Sequence, residues 1–179
     1  MGTSLKFTSL VEISACAVFS ELTFTFDHCD EDVNLITVKS KLQMNDCSFE
    51  TEKNKRQVLL YGCNDSVVSL NSCIVTGFKQ HICAVESYIQ INTCVFDKAS
   101  SSCIFLQQPC YFGFQKSQIL NARLCGVIIN FGKCSNTKTR IISFTDSQIV
   151  DCLSDGLKIT SGQFCGVNLS ILVSKSRFV

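Results

Sequence analysis

Leu42-Gln43-Met44-Asn45-Asp46-Cys47-Ser48-Phe49 alternates apolar and polar residues, breaks its phase at Asn45-Asp46, and then resumes the alternation. A period of two marks a strand with one buried face, so the stretch reads as two short strands meeting at a bend. The same form, apolar-any-apolar-Asn-any-Cys-any-apolar, returns at residues 68–75 and 89–96. Looser copies follow at residues 112–119, 142–149 and 171–178 with Ser in the sixth place, and residues 11–18 fit as the earliest copy. The sixth position thus runs Cys16, Cys47, Cys73, Cys94, Ser117, Ser147 and Ser176, at intervals of 21 to 31 residues. Self-similarity at such a period is the signature of a solenoid, and the variable interval means insertions at fixed corners of a common unit.

About ten residues beyond the sixth position a third apolar strand is expected, at residues 22–26, 58–61, 82–85, 103–106, 126–129 and 156–159. A further strand is expected around residues 35–38. Three strands per unit, with one tight and two looser corners, predict an all-β right-handed parallel β-helix of about seven three-sided coils. Coils stacked at about 4.8 Å would align like residues in ladders. Asn45, Asn71 and Asn92 would form one ladder at the tight corner, where Asn tolerates left-handed backbone. Cys47, Cys73 and Cys94 would form another inside, as small buried hydrophobes. The pattern resembles the right-handed parallel β-helix or pectin-lyase-like superfamily from about Val11 to Val179. The motif is specific for that fold and not for any activity. Residues 1–179 read as a single β-helix segment. Since the chain stops in mid-motif at Arg177-Phe178-Val179, it is expected to belong to a larger protein or to be an open solenoid closed by assembly.

With 46% apolar and 17% charged residues the chain can fill a substantial core. A net charge of +1, with basic residues scattered apart from Lys53, Lys55 and Arg56, gives no footprint for a phosphate backbone, so nucleic acid is not an expected partner. No apolar run approaches the roughly 18 residues that span a bilayer, and Glu12 interrupts the apolar stretch nearest the N-terminus, so neither a membrane span nor a signal peptide is expected. An intracellular setting is favoured on that ground. The thirteen cysteines are odd in number, form no CxxC pair and recur at one repeat position, which predicts reduced and mostly buried thiols.

Catalytic and metal-binding constellations are weak. Cleavage of a sugar chain by acid–base chemistry needs two acidic groups over one bond. Asp146, Asp151 and Asp155 are close in sequence, but their places in the repeat predict solvated corners rather than one face. His28-Cys29-Asp30-Glu31-Asp32 has the residue types of a metal site but crowds them into five residues of an expected polar loop. His81 and Cys83 could chelate with Cys103 of the next coil, although a corner histidine and core cysteines explain them as well. The charged stretch Glu50 to Arg56 reads as a solvated or docking loop. No catalytic residue, metal ligand or cofactor is expected.

The third strand carries the functional reading. A strand with one wet face should alternate, yet residues 58–61, 82–85, 103–106 and 126–129 are apolar on both faces. The expected interaction face is Leu60, Val85, Phe105 and Ile128, covered by a protein partner, a neighbouring domain or a second copy of the chain. The first strand, with Gln43, Ser69, Gln90, Gly113 and Ser143 outward, reads as an ordinary wet face. The function expected is therefore a non-catalytic scaffold or protein-interaction module, like the β-helices of some eukaryotic regulators. The alternative is a carbohydrate-binding or carbohydrate-active protein of the pectin-lyase-like type.

Overall fold

The computed structural model describes residues 3–7, 10–26, 33–51, 57–132, 139–161 and 168–179. Every regular element among them is a β-strand, and the strands join, all parallel, into three sheets of seven, eight and seven. The first sheet runs from Ala17–Ser20 to Leu169–Ser174, the second from Thr3–Phe7 to Arg177–Phe178, and the third from Val11–Ile13 to Leu157–Ser161. The chain visits the sheets in strict rotation, so each sheet takes one strand from every turn. This is the three-sided parallel β-helix that the repeat implies.

The registers place the motif copies directly over one another. Leu42 pairs with Val68, Val68 with Ile89, Ile89 with Phe112 and Phe112 with Ile142. Met44, Leu70, Ile91, Phe114 and Phe144 form the third-position column, and all are buried. Phe49, Val75, Phe96, Ile119 and Ile149 form the eighth-position column beyond the corner. Phe24 stacks on Phe49 with ring centroids 4.6 Å apart. These columns, with the inward side chains of the third sheet, make one continuous core along the solenoid.

The earliest copy sits elsewhere than the sequence pattern suggested. Ala17 pairs with Leu42, Phe19 with Met44 and Ser20 with Asn45, so the first unit is residues 17–24 and not 11–18. Cys16 lies outside the ladder and is exposed, while Leu22 takes the sixth position. Correspondingly, Leu22–Phe26 belongs to the second sheet, and the third-sheet strands here are Val11–Ile13 and Asn34–Val38. Two overlapping runs of alternation, six residues apart, satisfy the same loose pattern, and pairing with the next coil decides between them.

The tight corner also works differently from the expectation. The left-handed residue is at position five, not four: Glu21, Asp46, Ser72, Thr93, Lys116, Asp146 and Lys175 all have φ between 47° and 56°. Asn at position four instead bonds along the ladder, with Asn71 Nδ2 donating to Asn45 Oδ1 at 3.0 Å and Asn45 Nδ2 to Ser20 Oγ at 3.2 Å. The left-handed twist reverses the direction of hydrogen bonding. The position-five N–H donates to the next coil, as from Thr93 to the Gln115 carbonyl, whereas the position-seven N–H donates to the previous coil, as from Val95 to the Cys73 carbonyl. The N–H of position six lies between these and meets no carbonyl.

Side chains fill that gap. The amide of Cys73 donates to Cys94 Sγ at 3.3 Å, that of Cys94 to Ser117 Oγ at 2.9 Å, that of Ser117 to Ser147 Oγ at 3.3 Å, and that of Ser147 to Ser176 Oγ at 3.3 Å. From Cys47 to Ser176 each sixth-position thiol or hydroxyl also donates to the position-four carbonyl of its own coil, at 3.2 Å from Cys47 and 2.6 Å from Ser117. Wherever an earlier coil presents its amide the position therefore needs a small side chain that both donates and accepts, which Ser and Cys are and a hydrophobe is not; Leu22, in the first unit, has no such earlier corner beneath it among the described residues.

Removal of one link leaves a buried amide without an acceptor, which costs about 1–3 kcal/mol. Ser147→Ala is expected to lower unfolding free energy by that amount in urea denaturation, and Ser147→Cys to lose much less. Equal losses from the two would contradict the relay. Burial raises the pKa of Cys47, and hydrogen bonding to Cys94 together with burial raises that of Cys73. The same hydrogen bond lowers the pKa of Cys94, but all three thiols are buried, so maleimide labelling of the native protein should modify Cys16 well before Cys47, Cys73 or Cys94.

Candidate functional site

Strands of the third sheet enter the core with a phase slip of their own. Leu35 and Ile36, Leu59 and Leu60, His81 and Ile82, and Cys103 and Ile104 are consecutive pairs in which both side chains are buried. Strict alternation begins only after each pair. This slip accounts for part of the apolar character of the third strand. Leu60 is 1% exposed, paired with Ile36 and Ile82 inside the solenoid, and does not belong to an outward face. Its neighbour Leu59 is buried as well, so the outward residue of that strand is Tyr61.

The remaining expected residues lie on the outer surface. Registers Thr37–Tyr61, Tyr61–Cys83, Cys83–Phe105, Phe105–Ile128 and Ile128–Lys158 define one outward column. Its four central members, Tyr61, Cys83, Phe105 and Ile128, are each half-buried. Val85 is also half-buried but stands in the next column, which continues as Gln107, Asn130 and Thr160 and is polar beyond Val85. Tyr61 and Cys83 are part of this surface that apolar periodicity did not single out, since neither ranks as a strong hydrophobe in sequence.

The column is bounded by charge at both ends. On one side Glu12 pairs in register with Thr37 and holds Lys39 at 2.7 Å. On the other, Lys158 lies 3.9 Å from Asp155. Between these ends the surface excludes water enough to raise the pKa of the Tyr61 phenol and of the Cys83 thiol, with burial the leading cause for each. The column thus has an apolar centre that includes an aromatic ring, with charged residues at both ends. Such a surface can pack and desolvate a partner. It offers no cluster of acids.

The protein matches no family model, curated protein or solved structure. Its chemistry therefore rests on its own geometry.

Other expected candidates disperse. Asp146 is on the corner between first and second sheets, whereas Asp151 and Asp155 are on the corner between second and third. All three are exposed, and they share no face. Residues 28–32 lie outside the described residues, as do residues 52–56 of the charged loop. No three His, Cys, Asp or Glu side chains gather in metal-binding geometry among the described residues. Nor is any helix among them long and apolar enough to cross a membrane. The ten described cysteines are free thiols, six of them buried.

His81 and Cys83 are separated by the phase slip, with His81 inside and Cys83 outside. His81 Nδ1 lies 3.2 Å from Cys103 Sγ, the ring packs between Phe78 and Phe96, and Nε2 has no hydrogen-bond partner among the described residues. Burial pushes the imidazole pKa down to about 3 and the Cys103 thiol well up, so both groups are neutral and share one hydrogen bond between Sγ and Nδ1. A neutral pair sealed in the core is structural.

Between pH 6.5 and about 3 the unfolded chain protonates this histidine and the folded chain does not, so folding stability falls as pH drops through that window. The difference in unfolding free energy between the wild type and His81→Phe should therefore change with pH across the window and be flat above it. A constant difference from pH 7 to pH 4 would mean that His81 already takes up its proton in the fold.

Proposed function

We propose that this β-helix is a non-catalytic scaffold that binds a protein surface through the outward column Tyr61, Cys83, Phe105 and Ile128. The observation that carries this reading is the continuity of that column over four coils inside a charged and polar border. A rigid parallel sheet holds its side chains in fixed register at about 4.8 Å intervals, so little conformational entropy is lost when a partner packs on them. Each 100 Å2 of apolar surface hidden there contributes roughly 2.5 kcal/mol before the costs of association. The side chains shield one another along the column, so the patch suits a modest interface centred on Phe105.

The partner is a second protein or a neighbouring domain with an apolar ridge and polar flanks. The alternative, a carbohydrate-active protein, has less support. Its acids would have to converge, and Asp146 stands on a different corner from Asp151 and Asp155.

The test is Phe105→Asp alone and with Ile128→Asp, compared with the wild type by sedimentation at high protein concentration, by partner binding and by thermal unfolding. Reduced association with the melting temperature preserved is the expected result, because both side chains point away from the core. Unchanged association and solubility in the double variant would mean that the face is bare, and robust cleavage of a polyuronide that disappears in Asp151→Asn would replace this reading by the alternative.

A further inference from the structure

The outward column of the third sheet matches its own reverse. It runs in register from Glu12 through Thr37, Tyr61, Cys83, Phe105 and Ile128 to Lys158, so Cys83 is the midpoint, three coils from each end. Reversing the order sets Lys158 against Glu12, Ile128 against Thr37, Phe105 against Tyr61, and Cys83 against itself. Opposite charges meet at the ends, rings meet beside the centre, and a small thiol stands at the middle.

Glu12 and Lys158 are both exposed. Each has a companion, Lys39 beside Glu12 and Asp155 beside Lys158, so neither end carries a net charge. Lys39 belongs to the next column and Asp155 precedes the strand of Lys158, which leaves Glu12 and Lys158 as the charges of the column itself. The next column, Lys39, Cys63, Val85, Gln107 and Asn130, obeys the same reversal. With Val85 set on itself, Cys63 faces Gln107 and Lys39 faces Asn130, so no like charges meet. A surface that complements its own reverse is what an isologous two-fold interface requires. A two-fold axis along the solenoid would instead set Glu12 on Glu12 and Lys158 on Lys158, and like charges directly opposite repel.

We infer that the partner of the third-sheet face is a second copy of this chain, packed face to face with its solenoid axis reversed about Cys83 and Val85. The inference rests on that face being the binding surface. In the dimer Tyr61 of each chain packs on the partner's Phe105, giving two ring contacts that flank the two-fold axis. Glu12 of each chain meets the partner's Lys158. Six coil-to-coil steps make the face about 29 Å tall, and its central strands are 4 to 6 residues long, so the area hidden per chain falls below the roughly 800 Å2 of a standard interface. The dimer is therefore weak and concentration-dependent.

Sedimentation of the intact chain over a range of concentrations tests the pairing with Glu12→Lys and Lys158→Glu, each alone and then mixed in equal amounts. The wild type is expected to dimerise. Each variant alone sets like charges together at both ends of the dimer and should dimerise about two- to thirtyfold more weakly, the range for two exposed ion pairs, with the difference shrinking at about 0.5 M salt. The mixture should recover wild-type association, because in the mixed dimer both ends again join opposite charges. Recovery on mixing cannot come from a misfolded variant, and circular dichroism checks that each fold is kept. A wild type that stays monomeric, single variants that dimerise as the wild type does, or a mixture no stronger than its components overturns the assignment. If the chain stays monomeric while Phe105→Asp weakens its binding to a different protein, the third-sheet face stands and the second copy fails. If Phe105→Asp alters no association of any kind, the face itself fails and the dimer with it.

Discussion

Turning a parallel coil sharply leaves one backbone N–H at each turn aimed between coils, and a buried amide of that kind cannot go unpaired without a cost of about 1–3 kcal/mol. From Cys73 through Ser147 it is met by the thiol or hydroxyl of the next coil, which in turn donates to its own position-four carbonyl. The stack depends on this relay because the same groups fix the register. A coil displaced by one residue would bring a hydrophobe to the amide and a polar group to the core. The left-handed residue at position five makes the relay necessary by reversing the direction of hydrogen bonding. The choice of Ser or Cys at position six makes it possible.

This explains why the architecture could be read from a single eight-residue pattern. The tight corner has constant length, and its chemistry is local, so Leu42 to Phe49 already contains both strands, the turn and the relay group. What the pattern did not contain was the role of each residue. Asn45, Asn71 and Asn92 were legible as a ladder, but the backbone strain sits on Asp46, Ser72 and Thr93, residues with no common side chain. Likewise the replacement of Cys by Ser from Ser117 onward was legible as a looser copy. Its meaning, that a hydrogen-bonding group and not a small hydrophobe is required, appears only when the amides are counted. In the earliest coil the sixth position is Leu22, and without a Cys or Ser to mark it the pattern locks onto Cys16, six residues early.

The candidate face was half legible for a related reason. Continuous apolar runs in the third strand combine two causes that sequence cannot separate. One is the double burial at the strand entrance, which takes Leu59 and Leu60, or His81 and Ile82, into the core together. The other is a true outward column, which keeps Phe105 and Ile128 on the surface and adds Tyr61 and Cys83. Cross-strand register, a property of three coils at once, is what tells them apart, and it also places Val85 beside the column rather than in it.

The outward column lies on the third sheet, and the geometry of the relay gives a reason why variation gathers on that side. Because the corner between first and second sheets must keep its length and its hydrogen bonds in every coil, the variation of the repeat between 21 and 30 residues from Cys47 onward is absorbed entirely by the two other corners. Insertions there leave the relay untouched, since their amides bond within the corner or to neighbouring corners, as Ser100 does to Phe78 and Arg123 to Ala99. Side chains such as Lys98, Arg123 and Asn121 can therefore change without cost to the core, and the sheet between these corners is where a binding surface can be altered most freely. A solenoid built on one invariant corner thus divides its surface into a side held fixed by the relay and a side free to vary.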